Sequence, residues 1–78
     1  SITNGGYEMD PNEERGSGRI QLATRLHDLA DMIERGSVNI GSETVTIPED
    51  VRYELELEKE QKENKAEIEI ELQLPASM

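Results

Sequence analysis

Hydrophobic residues in the stretch 20–33 recur with the spacing of an α-helix. Leu22, Leu26, Leu29 and Ile33 fall at positions i, i+4, i+7 and i+11, and this spacing places them on one face of a helix. Polar and charged residues occupy most of the positions between them. The pattern therefore predicts one amphipathic helix of about four turns.

Residues typical of helix ends flank this stretch. Ser17 precedes it and is predicted to be the N-cap, because a serine hydroxyl can accept a hydrogen bond from the first free N–H groups. Gly36 follows Arg35 and can adopt the left-handed conformation that ends a helix. The positive charge of Arg35 suits the helix C-terminus.

After Gly36 the hydrophobic pattern changes to a period of two. Val38 and Ile40 alternate with polar residues, as do Val45 and Ile47. The residues between these pairs, 41–43, are Gly, Ser and Glu, which suit a turn. A short β-hairpin is therefore predicted, ending at Pro48.

Two longer alternating stretches follow, at 51–58 and 66–74, with the polar turn 59–65 between them. In each stretch the apolar residues occupy one face and mostly glutamates the other. A register that pairs Tyr53 with Leu72 brings the apolar faces together, whereas a slip of one residue would turn every side chain to the wrong side. The same register pairs Val51 with Leu74 and leaves a loop around residues 61–64, flanked by Glu60 and Lys65.

These elements predict an α+β fold in which one amphipathic helix packs on a four-stranded antiparallel β-meander, in the order α-β-β-β-β and in two layers. The large aliphatic residues would then share one core, with Tyr53 as a core ring. Residues 1–17 are rich in glycine and acids without apolar periodicity, and are predicted to be a disordered leader. The single domain is expected at 18–75, and 76–78 form a tail.

The predicted register also places glutamates opposite one another on the outer face of the last two strands. This carboxylate face consists of Glu54, Glu56, Glu58, Glu67, Glu69 and Glu71. The simplest interpretation is a solvated face that prevents aggregation of the sheet. The alternatives are a docking face for a basic protein, or a mimic of a nucleic-acid backbone, and a calcium site. A calcium ion needs six to eight converging oxygens, and side chains of a sheet stand parallel, so no metal site is assigned.

Composition excludes several classes of function. The chain has 78 residues and a formal net charge of −10, which disfavours direct binding to nucleic acids or to anionic membranes. No apolar run exceeds two residues, far below the roughly 20 that span a bilayer. With no cysteine to indicate a redox compartment, the cytoplasm is the default localisation.

Catalytic chemistry has few candidate residues here. His27 is the only histidine, and it is interpreted as a residue on the helix surface, with only Thr24 at a suitable spacing for nucleophile chemistry. Residues 16–18 read Gly-Ser-Gly, which is too short for a phosphate-binding loop and lacks its lysine. We therefore assign no catalytic residue and no cofactor, and we expect that the protein is not an enzyme.

The order of these elements resembles that of the amphi-Trp domain family, whose members are short acidic prokaryotic proteins common in haloarchaea. The resemblance covers about residues 18–75 and is carried by LATRLHDLADMIERG, VNIG, VTIPEDVRYELELEKE and AEIEIELQLP. The family is named partly for a tryptophan near the end of its strands, where this chain has Leu74. The resemblance implies the helix-and-meander fold and a salt-adapted host. It brings no catalytic or binding residues with it.

Two functional hypotheses follow. The first is a non-enzymatic structural or protein-interaction module that forms a homodimer, because a helix only 10–12 Å wide leaves part of the apolar face of four strands uncovered. The second is a regulatory protein that presents the carboxylate face to a basic protein partner.

Overall fold

A computed structural model describes residues 12–75. It contains the helix α1 (Arg19–Arg35) and four strands, β1 (Ser37–Ile40), β2 (Glu43–Thr46), β3 (Arg52–Glu60) and β4 (Lys65–Gln73). All strand pairing is antiparallel. The predicted α+β class and the order α-β-β-β-β are therefore confirmed.

The strands pair differently from the single four-stranded meander that the sequence suggested. They form two two-stranded sheets, β1–β2 and β3–β4. An alternating pattern shows which face of a strand is apolar, but it is the same whether the strand has one neighbour or two. Between β2 and β3, the Val51 N–H donates to the Pro48 carbonyl oxygen at 3.3 Å, and Pro48 itself has no N–H to offer a ladder.

Helix α1 is flanked by a glycine at each end. Gly18 precedes its first residue with a φ of 104°, and no side chain caps this end, so the prediction of Ser17 as N-cap is wrong. The Gly18 carbonyl oxygen accepts from the Leu22 N–H at 2.9 Å. At the other end, Gly36 is left-handed with a φ of 103°, and its N–H lies 3.0 Å from the carbonyl oxygens of both Met32 and Ile33. The prediction for Gly36 is confirmed.

The chain divides between Ile47 and Pro48 into two compact units. In the first unit, α1 contacts β1, and the ladder of β1 and β2 is continued by a bond from the Ile47 N–H to the Gly36 carbonyl oxygen at 2.8 Å. Val38 and Ile47 are its buried core residues. The helix end and the hairpin are thus joined through Gly36.

The second unit is the β3–β4 hairpin. Its register pairs Tyr53 with Leu72, which confirms the prediction. The ladder stops at Arg52 and Gln73, one position short of the expected Val51–Leu74 pair. At the other end the ladder runs to the Glu60–Lys65 pair, and the loop covers 61–64 as predicted. Asn64 in this loop takes a left-handed φ of 56°.

The predicted leader and tail are only partly covered by the structure. Residues 1–11 and 76–78 lie outside the described residues, and 12–18 contain no helix or strand. A single domain over 18–75 and a disordered leader over 1–17 stay predictions.

Candidate interaction surfaces

The β3–β4 hairpin has one strongly acidic face. Directly opposite residues share a face of an antiparallel pair, and the register aligns three pairs of glutamates there: Glu54 with Glu71, Glu56 with Glu69, and Glu58 with Glu67. All six side chains are exposed. The structure therefore brings together every residue of the predicted carboxylate face.

None of these six carboxylates forms an ion pair among residues 12–75, although Arg52 and Lys65 lie at the ends of the same rows. Ion pairs within residues 12–75 join Arg15 to Glu13, Arg25 to Glu14, and Lys65 to Glu63, and none involves the carboxylate face. The same part of the chain has no group of three or more acidic or histidine side chains placed to hold a metal ion. The six negative charges stand in two parallel rows in solvent.

The opposite side of the hairpin is an apolar face made of three cross-strand pairs: Tyr53 with Leu72, Leu55 with Ile70, and Leu57 with Ile68. These side chains remain largely open to solvent, with exposed fractions of 65% for Leu55, 58% for Ile70 and 78% for Ile68. Leu72 alone is half-buried. Such a contiguous exposed patch is unusual on a soluble protein and is typical of a binding surface.

This exposure corrects the prediction of one shared core for the large aliphatic residues. Tyr53 was predicted to be a core ring, but 69% of it is exposed. The sequence pattern identified the apolar face correctly, but alternation does not say what covers that face. Within the described residues, only Val38 and Ile47 are buried hydrophobic residues.

Lys59 and Asp50 carry opposite charges near the two ends of β3, Lys59 on the apolar face and Asp50 in the turn before the strand. Lys59 lies at the loop end, on the same face as Leu57 and opposite Ala66. Asp50 lies before the start of β3, at the other end, and is exposed. Lys59 follows Asp50 by nine positions, a distance of about 25–30 Å along an extended strand. They are too far apart to pair within one hairpin.

A further surface feature lies in the first unit, where the segment before the helix approaches α1. The Arg25 guanidinium donates to Glu14 through Nε at 3.1 Å and Nη2 at 2.5 Å, and Nη2 also donates to the Asn39 carbonyl oxygen at 2.8 Å. An apolar groove of about 900 Å³ runs alongside this contact, and its lining includes Leu22, Leu26 and Ile40.

The Glu14–Arg25 contact changes the ionisation of both groups. The hydrogen bond from Arg25 lowers the pKa of the Glu14 carboxyl, assisted by the charge of Arg25 and by the Gly41 N–H. The same hydrogen bond raises the pKa of Arg25. Sequence reasoning missed Glu14, because it precedes Arg25 by 11 residues across an irregular segment and no periodicity relates them.

The remaining candidates for chemistry are isolated on the surface. His27 is exposed on α1, as predicted. Gly16, Ser17 and Gly18 precede the helix as irregular chain. No helix among residues 12–75 is long and apolar enough to cross a bilayer.

Comparisons with known proteins identify a family. The family model described as the Amphi-Trp domain matches residues 7–75, nearly the whole chain. Searches of the curated proteins and of the solved structures gave no significant match.

Proposed function

The chain belongs to the Amphi-Trp domain family, and we propose that it is a non-enzymatic, acidic protein-interaction module that associates with itself through the apolar face of its β3–β4 hairpin. The proposal includes a cytoplasmic, salt-adapted setting without binding to nucleic acids or membranes.

The exposed apolar face is the observation that carries this proposal. Tyr53, Leu55 and Ile70 each expose more than half of their surface, and burial of one such side chain contributes roughly 1.5–3 kcal/mol. The free energy therefore favours covering this face. A two-stranded hairpin is marginally stable by itself, so a contact on its apolar side also stabilises the element that forms the surface.

Light scattering after size-exclusion chromatography tests self-association. We expect the average mass to rise above that of one chain as the protein concentration is raised from low to high micromolar at a fixed salt concentration. Leu55→Gln should shift this transition to higher concentration. Glu56→Gln, which changes the adjacent residue on the carboxylate face, is the matched control and should not. A mass that stays monomeric at every concentration would remove the proposal.

The carboxylate face supports a second candidate function, the binding of a basic protein partner. The supporting observation is that its six glutamates are exposed and lack ion-pair partners within the described residues. Charge of one sign steers a partner of the other sign and makes its binding sensitive to salt.

A lysine-rich peptide of disordered sequence is a suitable probe for this second candidate. Replacing Glu56, Glu69 and Glu71 by Gln should weaken its binding at low salt and leave the fold intact. Replacing Glu13, Glu34 and Glu43, which lie in the first unit, removes the same number of charges and serves as control. Equal binding by both triple variants would show a response to net charge alone, and would exclude a specific carboxylate face.

A further inference from the structure

The segment before helix α1 lies across the first unit as a strap. This strap, residues 12–18, contains no helix or strand, and Glu14 within it contacts α1 through Arg25. We propose that Arg25 is a latch: when its contact with Glu14 breaks, the strap opens about residues 16–18, while α1 and the β1–β2 hairpin stay folded.

The Arg25 guanidinium joins the strap to two other elements. Nε donates to the Glu14 carboxylate at 3.1 Å, and Nη2 donates both to this carboxylate and to the Asn39 carbonyl oxygen, at 2.5 and 2.8 Å. The bond to Asn39 in β1 fixes the guanidinium beside the hairpin. Its planar fork then presents two N–H groups to one carboxylate, and a bidentate contact of this kind sets the orientation as well as the position of the strap.

Glu14 is the strap residue that forms an ion pair with another element. The Gly41 N–H, in the turn between β1 and β2, donates to the same carboxylate, so Glu14 is held from both the helix and the hairpin. The other charged residues of the strap, Glu13 and Arg15, pair with each other at 3.3 Å. Among the ion pairs of residues 12–75, only Glu14–Arg25 joins the strap to the rest of the unit.

Two glycines supply the hinge of the strap. No atom lies within 4 Å of a Cβ added at Gly16, and Gly18 holds a φ of 104°, which is open to glycine and costly for other residues. The first helical hydrogen bond runs from the Leu22 N–H to the Gly18 carbonyl oxygen at 2.9 Å. Rotation at residues 16 and 17 therefore moves the strap and leaves the bonds of α1 intact.

Opening of the strap changes the apolar groove described above. Gly18 precedes the first turn of α1, whereas Glu14 contacts Arg25 about two turns further along, so the strap runs back beside the helix. It forms one wall of the groove of about 900 Å³, and Leu22 and Ile40 belong to the other walls. The latch therefore controls whether this groove is walled on the strap side.

Burial favours local opening over unfolding of the whole unit. Every residue of the strap is exposed, whereas the buried core residues of the unit are Val38 and Ile47. Opening the strap thus brings no core side chain into water. Segments of this kind open at a lower free energy than the elements that carry the core.

Spin labels at Glu13→Cys and Asp28→Cys measure the opening, since the natural chain has no cysteine to compete for the label. With the strap beside α1, we expect a distance below about 20 Å. An arm of five extended residues reaches about 16 Å from Gly18, and Asp28 lies about 15 Å along the helix from it. The open state should therefore give distances that extend to about 30 Å.

Three substitutions of arginine test the latch in this labelled chain. Arg25→Gln should lower the ratio of closed to open strap by about 2- to 5-fold near 0.1 M salt, as expected for one partly exposed ion pair. Arg25→Lys keeps the charge but not the planar fork, and should give a smaller change. Arg15→Gln removes the same charge from the strap itself and is the matched control, which should leave the distances unchanged.

Hydrogen exchange of the Ile47 amide separates opening of the strap from unfolding. This N–H donates to the Gly36 carbonyl oxygen at 2.8 Å, so it stays protected while the helix end and the hairpin are joined. We expect longer label distances in Arg25→Gln with the Ile47 amide still protected. Glu14→Gln breaks the contact from the strap side, and decides the matter if Arg25→Gln fails to fold.

Two results would overturn the latched strap. One is a label distance that is the same in Glu14→Gln as in the parent labelled chain. The other is a long distance that appears only when the Ile47 amide has lost its protection. Both measurements concern the first unit, so neither depends on self-association through the β3–β4 hairpin.

Discussion

Glu56 lies directly opposite Glu69 across the β3–β4 ladder, and no ion pair within residues 12–75 involves either carboxylate. This pair is the centre of the carboxylate face, with Glu54–Glu71 on one side and Glu58–Glu67 on the other. Like charges directly opposite in a sheet destabilise it. The chain thus keeps a charged outer face at some cost in stability.

Glu69→Lys should stabilise the fold, because it replaces a repulsive cross-strand pair with an attractive one. We expect a gain of roughly 0.5–1 kcal/mol in the free energy of unfolding near 0.1 M salt, measured by urea denaturation. Glu69→Gln removes the repulsion without adding the attraction and should give a smaller gain. A loss of stability in Glu69→Lys would show that the glutamate pair is not repulsive.

Salt should stabilise the protein for the same reason. Raising KCl from about 0.1 M to about 0.5 M shortens the Debye length to a few ångströms, so we expect the midpoint of thermal unfolding to rise across this range. A further rise in multimolar KCl would exceed simple screening and would support salt adaptation. A triple variant with Gln at Glu56, Glu69 and Glu71 is the control and should respond less. A flat midpoint from low to high salt would contradict the prediction.

The sequence predicts the β3–β4 hairpin well, because every one-residue slip would mix glutamates with the apolar residues on the same face. Tyr53 opposite Leu72 follows from this constraint. The division into two sheets could not be predicted, because alternation leaves the number of neighbouring strands open. The contact of Glu14 with Arg25 depends on how an irregular segment folds back, and no periodic pattern encodes it.

The Glu14–Arg25 contact should make stability depend on pH in the acid range. The pKa of Glu14 is lowered in the folded protein by the hydrogen bond from Arg25. The stabilisation that ionised Glu14 contributes is therefore fully present above its pKa in the unfolded chain, near 4.5. It is lost as the pH falls through the lower pKa of Glu14 in the folded protein. Glu14→Gln should destabilise the protein at neutral pH and flatten this part of the pH profile.

Urea unfolding between pH 3 and 7 measures the effect, which should be modest because both side chains are partly exposed. Glu13→Gln is the matched control, since its partner Arg15 is only two residues away along the chain. A variant of Glu14 that keeps the wild-type pH profile would exclude a role for this contact.

Gly36→Ala should destabilise the first unit through the backbone alone. Gly36 has a φ of 103°, which L-residues adopt at a cost of roughly 1–2 kcal/mol. No atom lies within 4 Å of an added Cβ, so steric overlap adds nothing to this cost. Gly16→Ala is the control, because Gly16 has neither a positive φ nor a close neighbour. Equal unfolding free energies of the two variants would contradict a left-handed requirement at Gly36.

Ile47→Ala tests whether the small core of the first unit is its main source of stability. Ile47 is 7% exposed, whereas Ile40 in the same hairpin is 37% exposed. The two substitutions remove the same atoms, but only the first leaves a cavity next to Val38 and the β1–β2 ladder. We expect a loss of about 2–4 kcal/mol for Ile47→Ala and about 1 kcal/mol or less for Ile40→Ala, by urea denaturation. Since a domain of this size has little stability to spare, Ile47→Ala should leave the first unit largely unfolded, and a well-folded variant would place the stabilising contacts elsewhere.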